Sequence, residues 1–78
     1  MNYIATFYTH AAALMTSRTL VKNGVDAKLG PVPRALSSSC GTCVMYVSDD
    51  PHLSDLDRDV ECLYTVTGSG YQQLMKNE

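Results

Sequence analysis

A change of apolar spacing early in the chain constrains its fold most. Residues 3–8 are mostly aromatic or branched, which predicts a first strand. After Thr9, whose side chain suits a helix N-cap, apolar residues lie three or four positions apart and so share one helical face. Gly24 favours the left-handed conformation that ends a helix, with Val25 folding back on Leu20. The sequence therefore begins with a strand and a capped helix.

The later apolar runs predict three more strands and a second helix. Residues 25–32 predict an edge strand that ends at two prolines, and residues 44–47 predict a central strand. The segment from Asp49 to Pro51 is a helix-start signal, followed by apolar residues at helical spacing. Residues 60–67 could extend that helix, but their branched and aromatic side chains favour a fourth strand.

This order of elements predicts an α+β fold. Strand, helix, strand, strand, helix and strand make the ferredoxin-like βαββαβ sandwich, a four-stranded antiparallel sheet with two helices on one face. Residues 1–68 would form this single domain, and residues 69–78 a C-terminal tail or short helix. Apolar side chains on the uncovered sheet face predict a homo-oligomer or a partner complex. The charged fraction of 18% agrees with a hidden surface, because soluble domains usually have about 25%.

The charge and the apolar patterning exclude several kinds of partner. The net charge is −2 and the basic residues are scattered singly, whereas phosphate binding needs clustered Lys and Arg. No apolar run approaches the ~20 residues that span a membrane. The N-terminal residues lack the basic and apolar regions of a signal peptide. We therefore expect no nucleic acid, no membrane and a cytoplasmic location, where thiols stay reduced.

Residues 37–43, SSSCGTC, are the candidate functional segment. Three cysteines cannot form a closed disulfide framework, so in a reducing compartment Cys40 and Cys43 are more readily chemical than structural. Cys40 lies between a serine and a glycine, where a buried core residue is least expected. Cys43 begins an apolar strand, and burial as a small apolar side chain explains it about as well as a chemical role does. Cys62, in the ambiguous last segment, is best explained as a buried side chain.

The residues around Cys40 suit a thiolate. A loop of small residues can turn several backbone N–H groups toward an anion, and serine hydroxyls add donors. A glycine permits a tight turn and close approach, and an upstream arginine supplies positive charge. The candidate binding residues are therefore Arg34, Ser37, Ser38, Ser39 and Gly41.

Other chemistries fit the sequence less well. In thioredoxin-like proteins the paired cysteines open a helix, whereas here a strand follows them. Structural zinc usually needs four ligands, and Cys62, His10 and His52 are too scattered to complete a set with the cysteine pair. We therefore predict no metal and no cofactor. Two alternatives stay open, a non-catalytic ferredoxin-like interaction module and a thiol–disulfide redox protein that uses both loop cysteines.

The helix closes on "NGV" and is followed by "PVPR-LSSSCG" and a short apolar strand. This pattern resembles the selenium/sulfur carrier protein-like family of small bacterial domains. The resemblance covers roughly residues 3–66 and is most specific over residues 33–41. It implies a ferredoxin-like fold and the carriage of sulfur or selenium between donor and acceptor proteins, which makes the protein a transfer partner more than a complete enzyme.

The resemblance also implies which residues carry the activity. The family's signature thiol falls on Cys40, with Gly41 after it and Arg34 upstream. Cys43 is not part of the signature. Its presence makes two alternatives more plausible, namely a Cys40–Cys43 disulfide and a role for Cys43 as a resolving thiol.

Overall fold

Five strands and one α-helix form the protein, as a computed structural model describes it for residues 1–77. A single-turn 3₁₀ helix lies between the third and fourth strands. The elements in chain order are β1 (Asn2–Phe7), α1 (His10–Lys22), β2 (Asp26–Pro31), β3 (Thr42–Val47), the 3₁₀ turn (Leu53–Asp55), β4 (Val60–Thr67) and β5 (Gly70–Lys76).

The predicted helix caps are confirmed. The Thr9 side chain accepts a hydrogen bond from the Ala12 backbone N–H at 3.1 Å, which satisfies one of the free donors of the first turn. At the other end Gly24 has a φ of +82°, and the Val25 N–H returns to the Leu20 carbonyl at 2.9 Å. Both apolar partners of this cap are buried in the core. Local sequence therefore sets both ends of α1.

The strands form one antiparallel sheet in the order β2-β3-β1-β4-β5. Since β3 lies between β1 and β2, the helix connects two parallel strands that are not neighbours. The register places Tyr3 opposite Tyr46, and their rings stack with centroids 5.1 Å apart. These rings belong to the core that α1 covers, together with Ala5, Phe7, Ala13, Leu20, Val44 and Leu63.

The predicted fold class is wrong. The ferredoxin-like βαββαβ sandwich requires four strands and two helices, whereas residues 1–77 form five antiparallel strands and a single α-helix. In place of the second helix, short acidic side chains bind nearby backbone. The Asp50 carboxylate accepts from the His52 N–H, and the Asp57 carboxylate from the Asp59 N–H, each at 2.9 Å. Such local bonds compete with helical ones, so the segment folds as turns.

The fifth strand occupies the segment that the sequence predicts to be a tail or a short helix. Residues 70–76 pair antiparallel with β4, with Thr67 opposite Gly70. Gly68 and Ser69 are the only residues between the two strands, a two-residue connection typical of a β-hairpin. Gly70 has a φ of +137°, which glycine adopts without strain. The glycine pair is thus a hairpin signal, and β5 becomes an edge of the sheet.

The sheet face opposite α1, here called the open face, has no helix on it within residues 1–77. Because side chains alternate along a strand, Ile4, Met45 and Val47 point to this face. With Val66 and Tyr71 they line a cavity of about 410 Å³. Pro33 lines the same cavity, so the connection between β2 and β3 extends over this face. Within residues 1–77, no helix combines the length and the apolar character that crossing a membrane requires.

Candidate functional site

The candidate site is the connection between β2 and β3, residues 32–41, here called the cysteine loop. Its ends are joined, because the Val32 N–H donates to the Gly41 carbonyl at 3.1 Å. Gly41 has a φ of +72° in open surroundings, so its backbone conformation is what requires glycine. The Leu36 N–H donates to the Pro33 carbonyl at 2.9 Å, which closes a turn within the loop. A loop whose ends meet in this way is a compact unit that can project side chains.

Two serines fasten the cysteine loop to the sheet. The Ser38 hydroxyl donates to the Phe7 carbonyl at the end of β1 at 3.1 Å. The backbone N–H and the hydroxyl of Ser39 donate to the two carboxylate oxygens of Glu61 on β4, at 3.1 and 3.2 Å. Hydrogen bonds to a charged acceptor are stronger than neutral ones. The loop is therefore held at two strands beyond those it connects.

Cys40 is half-buried between these anchors. Its side chain packs against the edge of the hydrophobic core, and its Sγ donates to the Thr42 carbonyl at 3.4 Å. The Ser38 hydroxyl lies 4.0 Å from the same sulfur. His10, the first residue of α1, places its Nδ1 3.2 Å from the Thr42 hydroxyl. The thiol thus lies where the loop, the start of β3 and the start of the helix meet.

The other two thiols are buried in the sheet. Cys43 is 0% exposed and Cys62 is 7% exposed. The register sets Thr6 of β1 directly between them, opposite Cys43 on one side and Cys62 on the other. Two strand spacings amount to about 9.6 Å, well beyond the separation of about 5.5–6 Å that a disulfide spans between Cα atoms. All three cysteines are free thiols.

The predicted site residues are only partly brought together. Ser38 lies beside the Cys40 sulfur, and Gly41 directly follows it at the base of the loop. Ser39 turns to Glu61 instead. Arg34 and Ser37 are exposed, and neither forms an ion pair or a hydrogen bond to Cys40 in the part of the chain that the structure describes.

Sequence reasoning misses three residues that bond the cysteine loop or its base, namely Glu61, Thr42 and His10. Glu61 is 22 positions after Ser39 in the sequence, and the pairing of β4 with β1 brings the two residues together. No local motif could therefore reveal this contact. His10 is visible in the sequence as a helix-start residue. Nothing in its spacing relates it to the loop.

Burial raises the pKa of the Cys43 thiol, and negative charge on Cys40 adds to this. Burial likewise raises the pKa of Tyr46. The folded state therefore keeps protons that the unfolded chain releases above about pH 8.5 for thiols and about pH 10 for tyrosines. A group whose pKa is raised on folding stabilises the fold fully below its unfolded pKa, and this stabilisation is lost as the pH rises toward the folded value.

We expect the free energy of unfolding to fall as the pH is raised from 8 to 10, by at most about 1.4 kcal/mol per pH unit for each such group. Urea unfolding of the reduced protein at several pH values measures this slope. Cys43→Ala should make the slope shallower, since it removes the group that titrates first. If Cys43→Ala kept the slope of the unmodified protein, the pH dependence would not come from the raised pKa of Cys43.

No group of three metal-ligating side chains comes together within residues 1–77. The loop thus offers one partly exposed thiol, that of Cys40, with hydroxyl and main-chain donors around it. The Glu61 carboxylate holds the neighbouring residue, Ser39. The main-chain N–H groups of Cys40 and Gly41 have no acceptor among these residues. This arrangement suits a thiol that another molecule approaches from outside.

The chain matches a known protein family. The family model described as "Putative Se/S carrier protein-like" matches residues 2–54, which include the cysteine loop and end before β4. The match is thus shorter at its C-terminal end than the resemblance seen in the sequence, which extends to residue 66. Neither a curated protein nor a solved structure matches the chain.

Proposed function

Because the chain belongs to the "Putative Se/S carrier protein-like" family, we propose that it carries sulfur or selenium on Cys40. The observation that supports this most is the exposure of the three thiols. Cys40 is partly accessible on a loop, whereas Cys43 and Cys62 are buried in the sheet. A carrier needs a thiol that a donor protein can reach, and Cys40 meets that need best.

The transfer needs no oxidant or reductant. The Cys40 thiolate attacks the outer sulfur of a persulfide on a donor protein, the donor's S–S bond breaks, and the donor thiolate leaves. Cys40 then holds a persulfide. An acceptor nucleophile attacks its terminal sulfur, and the Cys40 thiolate leaves in turn. Selenium follows the same two displacements. Each step exchanges one bond to the carried atom for another, so a complete set of acid and base groups is not required.

The groups around Cys40 support the holding of a negatively charged persulfide. The N–H groups of Cys40 and Gly41 are available as donors in the described part of the chain. The Ser38 hydroxyl lies 4.0 Å from the sulfur and can turn toward it from the Phe7 carbonyl. Exposed Arg34 and Ser37 on the outer part of the loop suit contact with an incoming partner protein. Through Glu61, Ser39 positions the loop.

A thiol–disulfide redox role is less well supported. It would pair Cys40 with Cys43, but Cys43 is fully buried and donates to the Pro31 carbonyl at 3.6 Å. The raised pKa of Cys43 also lowers its thiolate population. Disulfide formation would require Cys43 to give up its buried position and its bond to Pro31.

The test is intact mass spectrometry of the reduced protein after incubation with a persulfide-generating cysteine desulfurase and cysteine. We expect the mass of one or more sulfur atoms to be added to the unmodified protein and to Cys43→Ser. No addition is expected for Cys40→Ser. A dithiothreitol wash should remove the added mass, because persulfides are reducible.

Two results would overturn the proposal. The first is the absence of added sulfur on the folded, reduced protein. The second is equal addition to the unmodified protein and to Cys40→Ser. A protein that instead shows a mass loss of two hydrogens, dependent on both Cys40 and Cys43, would favour the redox alternative.

The open face supports a separate proposal, a homodimer. Met45, Val47, Val66 and Tyr71 are partly exposed around the cavity. Asp26 and Lys28 lie two positions apart on edge strand β2 at the same cavity. In a twofold contact the same surface meets itself, so each carboxylate can meet the other copy's ammonium group. Sedimentation velocity tests this. We expect the unmodified protein to be a dimer and Val47→Glu to be a monomer. An unmodified protein that is monomeric at all concentrations would refute the proposal.

A further inference from the structure

A second cluster of reactive groups lies in the connection between β3 and β4, away from the cysteine loop. His52 joins two polar partners. Its Nε2 is 3.0 Å from the Ser48 hydroxyl, and its Nδ1 is 3.0 Å from a carboxylate oxygen of Asp55. Serine, imidazole and carboxylate in this order are the arrangement that activates a serine nucleophile. The sequence hides it, because all three residues lie within a single irregular segment.

The partners of His52 favour one tautomer of the neutral imidazole. The Asp55 carboxylate only accepts, so in the neutral ring Nδ1 carries the hydrogen and Nε2 is an acceptor. The Ser48 oxygen already accepts from the Asp50 backbone N–H at 3.2 Å. Its own hydrogen is therefore free to donate to Nε2 of His52. This is the protonation pattern that a general base needs before it removes the serine proton.

The backbone around His52 is held in an uncommon conformation. His52 has a φ of 55° and is the one non-glycine residue with a positive φ among residues 1–77. Its N–H donates to the Asp50 carboxylate at 2.9 Å, and the buried Tyr46 hydroxyl donates to the Pro51 carbonyl just before it. Strained backbone of this kind is often found at functional sites. Here it aims the imidazole at both partners.

The side chains of this cluster are accessible to a reactant. His52 and Asp55 are 24% and 22% exposed, and Ser48 is partly exposed at the end of β3. We propose that Ser48, His52 and Asp55 form a second reactive site that hydrolyses activated esters. This site is independent of the thiol chemistry of Cys40.

The reaction balances with water as its co-reactant. The Ser48 oxygen attacks the carbonyl carbon while its proton passes to Nε2 of His52. The alcohol leaves with that proton, and the acyl group stays on Ser48. A water molecule then attacks the acyl carbon and gives a proton to Nε2. The acid leaves, and Ser48 regains its hydrogen. Asp55 stays ionised throughout and stabilises the imidazolium that forms in each step.

The neighbouring charges define the substrate class. The Asp50 carboxylate accepts from the His52 N–H at 2.9 Å, and the N-terminal ammonium of Met1 donates to the Ser48 carbonyl at 3.0 Å. Charges of both signs therefore lie beside the site, so neither an anionic nor a cationic ester gains a clear electrostatic advantage there. The exposed Leu53 side chain lies next to His52 and offers an apolar contact to the acyl or alcohol group. We therefore assign the site to small neutral esters.

The test uses diisopropyl fluorophosphate, a neutral reagent in which serine displaces fluoride from phosphorus. Labelling is followed over time on the full-length reduced protein, and the modified residue is located by peptide mass spectrometry. We expect one diisopropylphosphoryl group on Ser48. His52→Asn should slow this labelling by roughly 100-fold, a value typical of a lost general base. Asparagine tolerates the left-handed backbone of position 52, so the variant should keep its fold.

Two further variants separate chemistry from folding. Asp55→Asn keeps the shape of the side chain but favours the wrong hydrogen arrangement on His52, so labelling should also slow. Ser54→Ala removes an exposed serine from the same segment and should leave the rate unchanged. Circular dichroism confirms that each variant is folded. Absence of label on Ser48, or an unchanged rate in folded His52→Asn, would overturn the proposal.

Discussion

Iodoacetamide is expected to alkylate Cys40 in the folded, reduced protein at least about 100-fold faster than Cys43 or Cys62. Cys43 is 0% exposed and Cys62 is 7% exposed, so alkylation of either thiol requires the residues packed over it to move away. A local opening free energy of about 2.7 kcal/mol already gives a 100-fold protection. The raised pKa of Cys43 reduces its reactive thiolate further. Timed quenching and peptide mass spectrometry give the three rates.

Denaturant supplies the control for this experiment. In concentrated urea the three thiols should react at similar rates, which would show that the sheet and not the local sequence causes the difference. Equal rates for Cys40 and Cys43 in the folded protein would contradict the prediction. They would also show that Cys43 becomes accessible readily, as the redox alternative requires.

The parts of the fold that the sequence predicts are those with local causes. The helix α1 begins at a side chain that caps it and ends at a glycine, and both signals lie within a few residues of the bonds they make. The same holds for the strand-like runs that become β1, β3 and β4. The loop position of Cys40 is also readable, because small polar residues on both sides of a cysteine favour a loop.

The failures come from competing or distant interactions. Leu53, Leu56 and Val60 have helical spacing, but aspartates before and between them, Asp50 and Asp57, bind backbone N–H groups that a helix would use. Strand β5 lacks a clear apolar period and is stabilised by its pairing with β4. The predicted anion site used all three serines, whereas the structure engages Ser39 with a carboxylate on another strand. Such contacts depend on sheet register, which a single sequence does not specify locally.

Glu61→Ala is expected to free the cysteine loop from β4. The substitution removes both acceptors of Ser39, whose N–H and hydroxyl bond the carboxylate at 3.1 and 3.2 Å. Hydrogen bonds to a charged group contribute about 1.5–3 kcal/mol, and the exposure of this pair places the effect at the lower end. We expect amide hydrogen exchange at Ser39 to accelerate by roughly 10-fold, because about 1.4 kcal/mol corresponds to that factor. Nuclear magnetic resonance measures it residue by residue.

Two matched variants show which property of Glu61 matters. Glu61→Gln keeps an oxygen that can accept from the Ser39 N–H but removes the charge, so its exchange rate should lie between those of the unmodified protein and Glu61→Ala. Asp59→Ala removes a nearby exposed carboxylate that makes no side-chain bond to the loop in residues 1–77, and it should leave the rate unchanged. Unaltered exchange in Glu61→Ala would mean that the bond to Phe7 from Ser38 suffices to hold the loop. The position of Cys40 would then depend on β1 alone.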